Sequence, residues 1–114
     1  MKWNNLRSEE DLNKAVEESK INPIVIFKYS SRCSISDRVL DMFQYEWDSV
    51  DEENKKITPY FLDLIQYRSL SNEIARRFGV IHESPQVLLV KNGECVYNES
   101  HGFIRVDDVF KSAA

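Results

Sequence analysis

Apolar and polar residues recur along this chain with two different periods, which separate helices from strands. Between Ser8 and Ser19 the apolar residues are spaced three or four apart behind a serine that can cap a helix, so a first helix is predicted there, ending before Pro23. The next segment, Ile24–Phe27, is continuously apolar and mostly β-branched, which is typical of a strand buried on both faces. We therefore expect this strand at the centre of a sheet.

The helix and strand periods then alternate once more. A second amphipathic helix is predicted from apolar positions that line one face, namely Val39, Leu40, Phe43, Trp47 and Val50. Residues Ile57–Leu64 form a second predicted strand. A third helix follows, marked by Leu70, Ile74 and Phe78, and Gly79 can end it in a left-handed conformation.

The last third of the chain favours a β-hairpin. Two apolar runs, Gln86–Val90 and Cys95–Tyr97, flank Lys91–Glu94, and the Asn-Gly pair inside that turn is a strong hairpin signal. Val106–Phe110 predicts a short closing helix. The pattern leaves open whether Lys2–Leu6 forms an edge strand.

Composition limits the possible architecture and function. The 114 residues, 42% of them hydrophobic, suffice for one core, so we expect a single domain over residues 1–114. The net charge of −4, with acids and bases interleaved, argues against a nucleic-acid partner. No apolar run approaches the ~18 residues of a membrane span, and the N-terminal residues do not resemble a signal peptide. We expect a cytoplasmic protein without a membrane partner.

The two cysteines, Cys33 and Cys95, form no CxxC or metal-binding pattern. Cys33 falls between the central strand and the second helix, where unpaired N–H groups and the helix dipole stabilise a thiolate. Arg32 either adds positive charge or is simply solvated. Ser36, one turn further on, either donates a hydrogen bond to the sulfur or is an ordinary first-turn serine. The alternative for Cys33 itself is an inert, buried cysteine.

Three features together resemble the thioredoxin fold over nearly the whole chain. The cysteine of Arg32-Cys33-Ser34-Ile35-Ser36 matches the first cysteine of the thioredoxin CxxC motif, Ser84-Pro85 matches the cis-proline dipeptide, and Lys91–Glu94 matches the hairpin turn. The resemblance implies a thioredoxin-like three-layer α/β/α sandwich with a mixed central sheet.

Two departures from thioredoxin point to monothiol chemistry. Ser36 stands at the second cysteine position, and Phe27 stands where thioredoxins bury an acid that assists proton transfer to the resolving cysteine. More narrowly, Tyr29–Ser36 and His82–Gln86 resemble the bacillithiol-system YtxJ family of proposed monothiol bacilliredoxins. The motif of that family is Thr-Cys-Pro-Ile-Ser, and here Arg32 and Ser34 replace its threonine and proline.

The resemblance also implies roles around Cys33. Pro85 is expected to be cis and to leave the backbone of Ser84 free to pair with an extended peptide or thiol substrate; the alternative is a trans proline at a strand edge. His82 is expected to be a solvent-exposed loop residue rather than part of the site. In this topology Cys95 lies at the opposite end of the sheet from Cys33, so a packing role is expected rather than a resolving one.

These inferences lead to a functional expectation. Cys33 would be catalytic in a monothiol thiol–disulfide oxidoreductase, with Ser36, Arg32 and Ser34 in supporting roles and Ser84 and Pro85 binding substrate. Its partners would be S-thiolated client proteins and a small thiol such as bacillithiol, used as co-substrate by a monomer with no bound cofactor or metal. The alternatives are an iron–sulfur carrier of the CxxS type, a non-enzymatic binding module and a stress sensor.

Overall fold

A five-stranded mixed sheet organises the computed structural model, which describes all 114 residues. Its strands are β1 (Asn4–Asn5), β2 (Ile24–Tyr29), β3 (Thr58–Asp63), β4 (Gln86–Lys91) and β5 (Glu94–Ser100). The spatial order is β1-β3-β2-β4-β5. Strands β1, β3 and β2 are parallel, and β4 is antiparallel to both β2 and β5. The apolar strand β2 lies at the centre, as the sequence predicted.

Four helices cover the two faces of this sheet, and they are α1 (Glu9–Glu18), α2 (Ser36–Asp48), α3 (Arg68–Phe78) and α4 (Val106–Ala113). One buried cluster joins α1 and α3 to the sheet face that carries Ile24 and Ile26. A second cluster joins α2 and α4 to the face that carries Val25 and Phe27. Because β2 contributes to both clusters, its side chains are apolar on both faces. The result is the expected three-layer α/β/α sandwich.

Local signals in the sequence set the ends of the elements. The Ser8 hydroxyl accepts a hydrogen bond from the Asp11 N–H, which caps α1. Gly79 ends α3 with φ of 64°, a left-handed conformation that a Cβ atom would oppose. Asn92 and Gly93 both have positive φ in the two-residue turn between β4 and β5, which is the geometry that suits a tight hairpin.

The N-terminal segment, which the sequence pattern left open, forms an edge strand by pairing with β3. Asn4 and Asn5 form β1 at the sheet edge, in parallel register with Tyr60 and Phe61. Leu6 continues this pairing through its N–H to the Phe61 carbonyl oxygen and is buried. None of the helices combines the length and apolar character needed to cross a membrane.

Candidate active site

Cys33 lies in the turn that joins the carboxyl end of β2 to α2. Its N–H donates to the Ser30 carbonyl oxygen at 3.2 Å, and its own carbonyl oxygen accepts the Ser36 N–H at 3.0 Å. Helix α2 begins only at Ser36, so Cys33 precedes the helix by one turn rather than lying at its first residue. The N–H groups of Ser34, Ile35 and Asp37 donate to no group of the protein. They remain available to a negatively charged sulfur or an incoming ligand.

A side-chain hydrogen bond between the end of β2 and the first turn of α2 fixes this turn. The Tyr29 hydroxyl, at the last residue of β2, donates to Asp37 Oδ1 in the first turn of α2 at 2.5 Å. This bond to a carboxylate is the main reason that the pKa of Tyr29 is raised. The two ends of the Cys33 turn are therefore tied together. The sequence analysis did not predict this bond between Tyr29 and Asp37. The usable signal was a tyrosine and an aspartate eight residues apart, on either side of the Cys33 turn.

The Ser84–Pro85 peptide bond is cis and packs beside Cys33, as predicted. The Cys33 thiol donates to the Ser84 carbonyl oxygen with an Sγ to O distance of 3.6 Å. The Ser84 N–H has no backbone partner, whereas the carbonyl oxygen of the buried Pro85 accepts the His101 N–H at 2.8 Å. The Ser84 backbone thus presents an unpaired donor, and an acceptor engaged only by the thiol, next to the Cys33 sulfur.

The supporting residues predicted around Cys33 occupy different environments. Ser36 is fully buried and its hydroxyl has no hydrogen-bond partner, so the expected bond to the Cys33 sulfur is not made here. The Ser36 position inside the first turn of α2 turns its side chain into the core. Arg32 and Ser34 are both exposed. The Arg32 guanidinium forms no ion pair within the chain, so its charge remains available at the rim of the site.

His82 differs from expectation. It is half-buried rather than solvent-exposed, with Nδ1 3.4 Å from the Lys28 ammonium and 3.4 Å from the Ser71 hydroxyl. Burial, assisted by the positive charges of Lys28 and Arg68, lowers the pKa of His82. The sequence prediction was wrong because contacts with β2 and α3 draw this residue inward from its loop.

Cys95 lies far from Cys33, as expected. It pairs with Val90, which in turn pairs with Ile24 at the start of β2, whereas Cys33 follows the end of that strand. Its side chain packs against the cluster under α1 and α3, and burial raises the pKa of its thiol. Both cysteines are free. Cys95 is thus a packing residue without access to Cys33.

The surroundings of Cys33 combine a small cavity with exposed apolar side chains. A cavity of about 190 Å³ lies between α2 and the loop after β5, lined by Ile35, Arg38, Val39, Met42, Gly102 and Ile104. Ile81 and Phe103, which are 86% and 74% exposed, lie on the segments that flank the cis-proline loop. Sequence analysis did not single out these residues, because exposure of an apolar side chain depends on the final packing.

The fold and the site define a class of protein. A thioredoxin fold with one cysteine against a cis-proline, and serine in place of the second cysteine, defines a thiol oxidoreductase-like protein of the monothiol type. Residues 4–109 match the family described as "Monothiol bacilliredoxin BrxC", and the chain belongs to that family.

Solved structures agree with this assignment. A candidate oxidoreductase with a thioredoxin fold is 32% identical, with 95% of this chain and 90% of that chain covered and a TM-score of 0.78. The reduced thioredoxin pre-protein of Schistosoma mansoni is 22% identical, with 96% of each chain covered and a TM-score of 0.72. The thioredoxin of Malassezia sympodialis is 15% identical, with 87% and 78% covered and a TM-score of 0.69. The last two similarities are evidence for the fold alone.

Proposed function

We propose that this protein removes a small thiol from mixed disulfides on client proteins, with Cys33 as the nucleophile. The observation that carries the proposal is the contact between Cys33 Sγ and the Ser84 carbonyl oxygen at 3.6 Å, in a chain whose other cysteine is remote. One sulfur therefore faces a backbone edge suited to substrate, with no second thiol in reach. Such a site favours exchange of a single thiol over formation of an internal disulfide.

The first step transfers the small thiol to the protein. The Cys33 thiolate attacks the small-thiol sulfur of the mixed disulfide, a new disulfide forms between them, and the client cysteine leaves as a thiolate that takes up a proton. Loss of the Cys33 proton also ends its hydrogen bond to the Ser84 carbonyl oxygen. That oxygen and the unpaired Ser84 N–H can then pair with the extended backbone around the client cysteine.

The second step regenerates the site. A second molecule of the small thiol, as its thiolate, attacks the sulfur that Cys33 carries, so the small thiol leaves as its own disulfide and Cys33 is again reduced. This external thiol is required because Ser36 occupies the position from which a second cysteine would attack. The small thiol is thus a co-substrate rather than a bound cofactor.

Two features support this choice of substrates. The exposed Ile81 and Phe103 offer apolar contact area beside the cis-proline loop, which suits a protein client better than a small polar disulfide. The neighbouring cavity of about 190 Å³ contains Arg38, whose guanidinium has no ion pair, and this favours a small thiol that carries a carboxylate. Two unpaired cysteines suit the reducing cytoplasm, and we propose that the protein acts there as a monomer.

Intact-mass measurement tests the proposal directly. Reduced protein is treated with oxidised bacillithiol and, separately, with oxidised glutathione, and then offered a client protein that carries the same small thiol. We expect one adduct on Cys33, with preference for one of the two thiols, and release of reduced client in the presence of excess small thiol.

Two single substitutions provide the controls. Cys33→Ser should abolish adduct formation and client reduction, whereas Cys95→Ser should leave both nearly unchanged because Cys95 packs at the other end of the sheet. An internal Cys33–Cys95 disulfide in the oxidised protein, or activity that survives in Cys33→Ser, would show that the proposed mechanism is wrong. Visible absorbance in freshly purified protein would instead favour the iron–sulfur alternative.

A further inference from the structure

Lys28 is an unexpected residue at the centre of the sheet. Its side chain is fully buried in β2 and forms no ion pair with a carboxylate. Lysine is almost never fully buried unless its charge is paired, because taking the ammonium out of water is costly. The exchange chemistry at Cys33 makes no direct use of Lys28, so the burial needs another explanation.

The contacts of Lys28 connect three parts of the chain. The ammonium nitrogen lies 3.2 Å from the Ser71 carbonyl oxygen in α3 and 3.4 Å from His82 Nδ1. The Ser71 hydroxyl lies 3.4 Å from the same ring nitrogen. His82 in turn stands two residues before Ser84, and β2 leads directly into the Cys33 turn. The two segments that meet at Cys33 and Ser84 are therefore also joined beneath the site, through Lys28 and His82.

We propose that Lys28 is a positioning residue for thiol exchange, which holds the Ser84–Pro85 loop against Cys33 through a neutral His82. The inference uses the proposed activity only as one of its readouts. Nδ1 faces two donors, so it has to act as an acceptor, and the ring proton of neutral His82 then lies on Nε2. Protonation of Nδ1 would place a second cation beside the Lys28 ammonium and break this contact.

The charges around His82 favour its neutral form near pH 7. Lys28 and Arg68 both oppose protonation, and burial acts in the same direction as the largest cause of its lowered pKa. Glu83 alone acts in the opposite direction. Loss of the loop contact is therefore expected only below the usual histidine range of about pH 6.5.

A purely stabilising role for Lys28 makes a different prediction from a positioning role. Lys28→Met keeps most of the side-chain volume and removes a buried charge that lacks an ionic partner. The substitution should leave the free energy of unfolding unchanged or higher. If Lys28 positions the loop, the same variant should nevertheless lose about tenfold in kcat/KM, the scale of one lost hydrogen bond to a charged group.

Matched variants separate the positioning effect from a general loss of charge. Lys91→Met is the control, because Lys91 also donates to a backbone carbonyl oxygen, that of Ala113, but at the hairpin end of the sheet. It should keep wild-type exchange activity. His82→Asn retains an acceptor near the Nδ1 position but cannot be protonated, so it should stay within about twofold of wild type at neutral pH.

The pH profile provides the decisive measurement. Wild type and His82→Asn share the same Cys33, so the ratio of their rates cancels the ionisation of the thiol. We expect this ratio to fall as the pH drops below about 6.5, towards a limit of about tenfold, because only wild type can lose the neutral imidazole. In ¹⁵N-resolved spectra, the Ser84 amide of wild type should shift over the same pH range, and that of His82→Asn should not.

Three results would overturn the inference. They are full exchange activity in Lys28→Met, a ratio of wild-type to His82→Asn rates that stays constant with pH, and a wild-type Ser84 amide whose chemical shift does not change on acidification. Failure of the proposed function would look different. In that case wild type itself would not reduce a mixed disulfide, while the Ser84 amide shift would still report whether Lys28 and His82 hold the loop.

Discussion

The two cysteines show how position, rather than residue type, determines chemistry in this protein. Cys33 contacts the Ser84 carbonyl oxygen in a turn that leaves several N–H groups unpaired. Cys95 instead packs against the core, and burial raises the pKa of its thiol, which disfavours the nucleophilic form. One cysteine beside the cis-proline loop and the other at the opposite end of the sheet leave the site with a single thiol.

Ser36 is the residue that keeps the site monothiol, and a single substitution tests this. Ser36→Cys should form an internal disulfide with Cys33 under mild oxidation and should release a small thiol already carried there. The Ser36 N–H lies 3.0 Å from the Cys33 carbonyl oxygen, so the two residues are one tight turn apart, within the ~7 Å Cα limit for a disulfide. Intact mass before and after oxidation measures the change.

Ser34→Cys is the matched control for this substitution. Ser34 is exposed and adjacent to Cys33, and neighbouring residues do not have the geometry of an ordinary disulfide. This variant should keep the small-thiol adduct on Cys33. Retention of the Cys33 adduct in Ser36→Cys would mean that position 36 cannot act as the resolving position.

At the scale of the elements, the site depends on where strands and helices end. The carboxyl end of β2 brings Cys33 to one end of the sheet, and the beginning of β4 brings Ser84 and Pro85 to the same end because β4 is antiparallel to β2. Gly79 ends α3 and so starts the segment that returns to this end of the sheet. A change at Gly79 therefore affects an element boundary rather than the chemistry.

Gly79→Ala should lower the free energy of unfolding by about 1 kcal/mol, because the position requires a left-handed backbone that a Cβ atom disfavours. No atom lies within 4 Å of the added Cβ, so the cost is conformational rather than steric. Chemical denaturation measures it. Gly102→Ala serves as control, since Gly102 has open space and no positive φ, and should change stability by less than about 0.5 kcal/mol. Equal losses in the two variants would contradict the argument.

At the scale of the whole molecule, the sheet separates an aromatic face from a face that contains the polar Lys28 cluster. Below α2, Phe27 packs edge to face against Phe43 with ring centroids 5.4 Å apart, and Trp3 contacts both rings. On the opposite face, Lys28 meets Ser71 and His82. The central strand thus places its only buried charge on the side away from the aromatic rings.

This buried charge makes stability depend on pH. Burial lowers the pKa of Lys28 from 10.5 to about 8 in the folded protein. Below pH 8 the group is charged in both states, and its burial costs at most roughly 3 kcal/mol. Between pH 8 and 10.5 the unfolded chain still holds the proton that the folded protein has released. The contribution of Lys28 to the free energy of unfolding therefore rises with pH.

The pH effect is isolated by comparing wild type with Lys28→Met in urea denaturation from about pH 7 to pH 10. As pH rises, the free energy of unfolding of wild type should increase relative to that of Lys28→Met, by up to roughly 3 kcal/mol. Tyrosines with raised pKa values, such as Tyr97, act in the opposite sense in alkali but contribute equally to both proteins. A difference that stays constant with pH would mean that Lys28 keeps its proton in the folded protein throughout this range.

Much of the fold and part of the site were predictable from the sequence. The helical spacing behind Ser8, the apolar run of β2 and the Asn-Gly turn are local signals that need no knowledge of distant residues. The contact between Cys33 and Ser84 spans 51 residues, and it was predicted only because the order of elements resembled a known fold. The exact start of α2 at Ser36 could not be read from the sequence, because no side-chain capping bond marks it.

By itself, the sequence determined the alternation of helices and strands, the central position of β2 and the location of Cys33 between them. The tertiary structure alone decided that the Ser36 hydroxyl turns into the core, that Lys28 is buried, and that His82 is half-buried in contact with Lys28. The physical reason is the separation along the chain over which each interaction acts. Periodicity and capping act over a few residues, whereas Lys28 finds its partners 43 and 54 residues away, in contacts that exist only once α3 and the cis-proline loop have packed on the sheet.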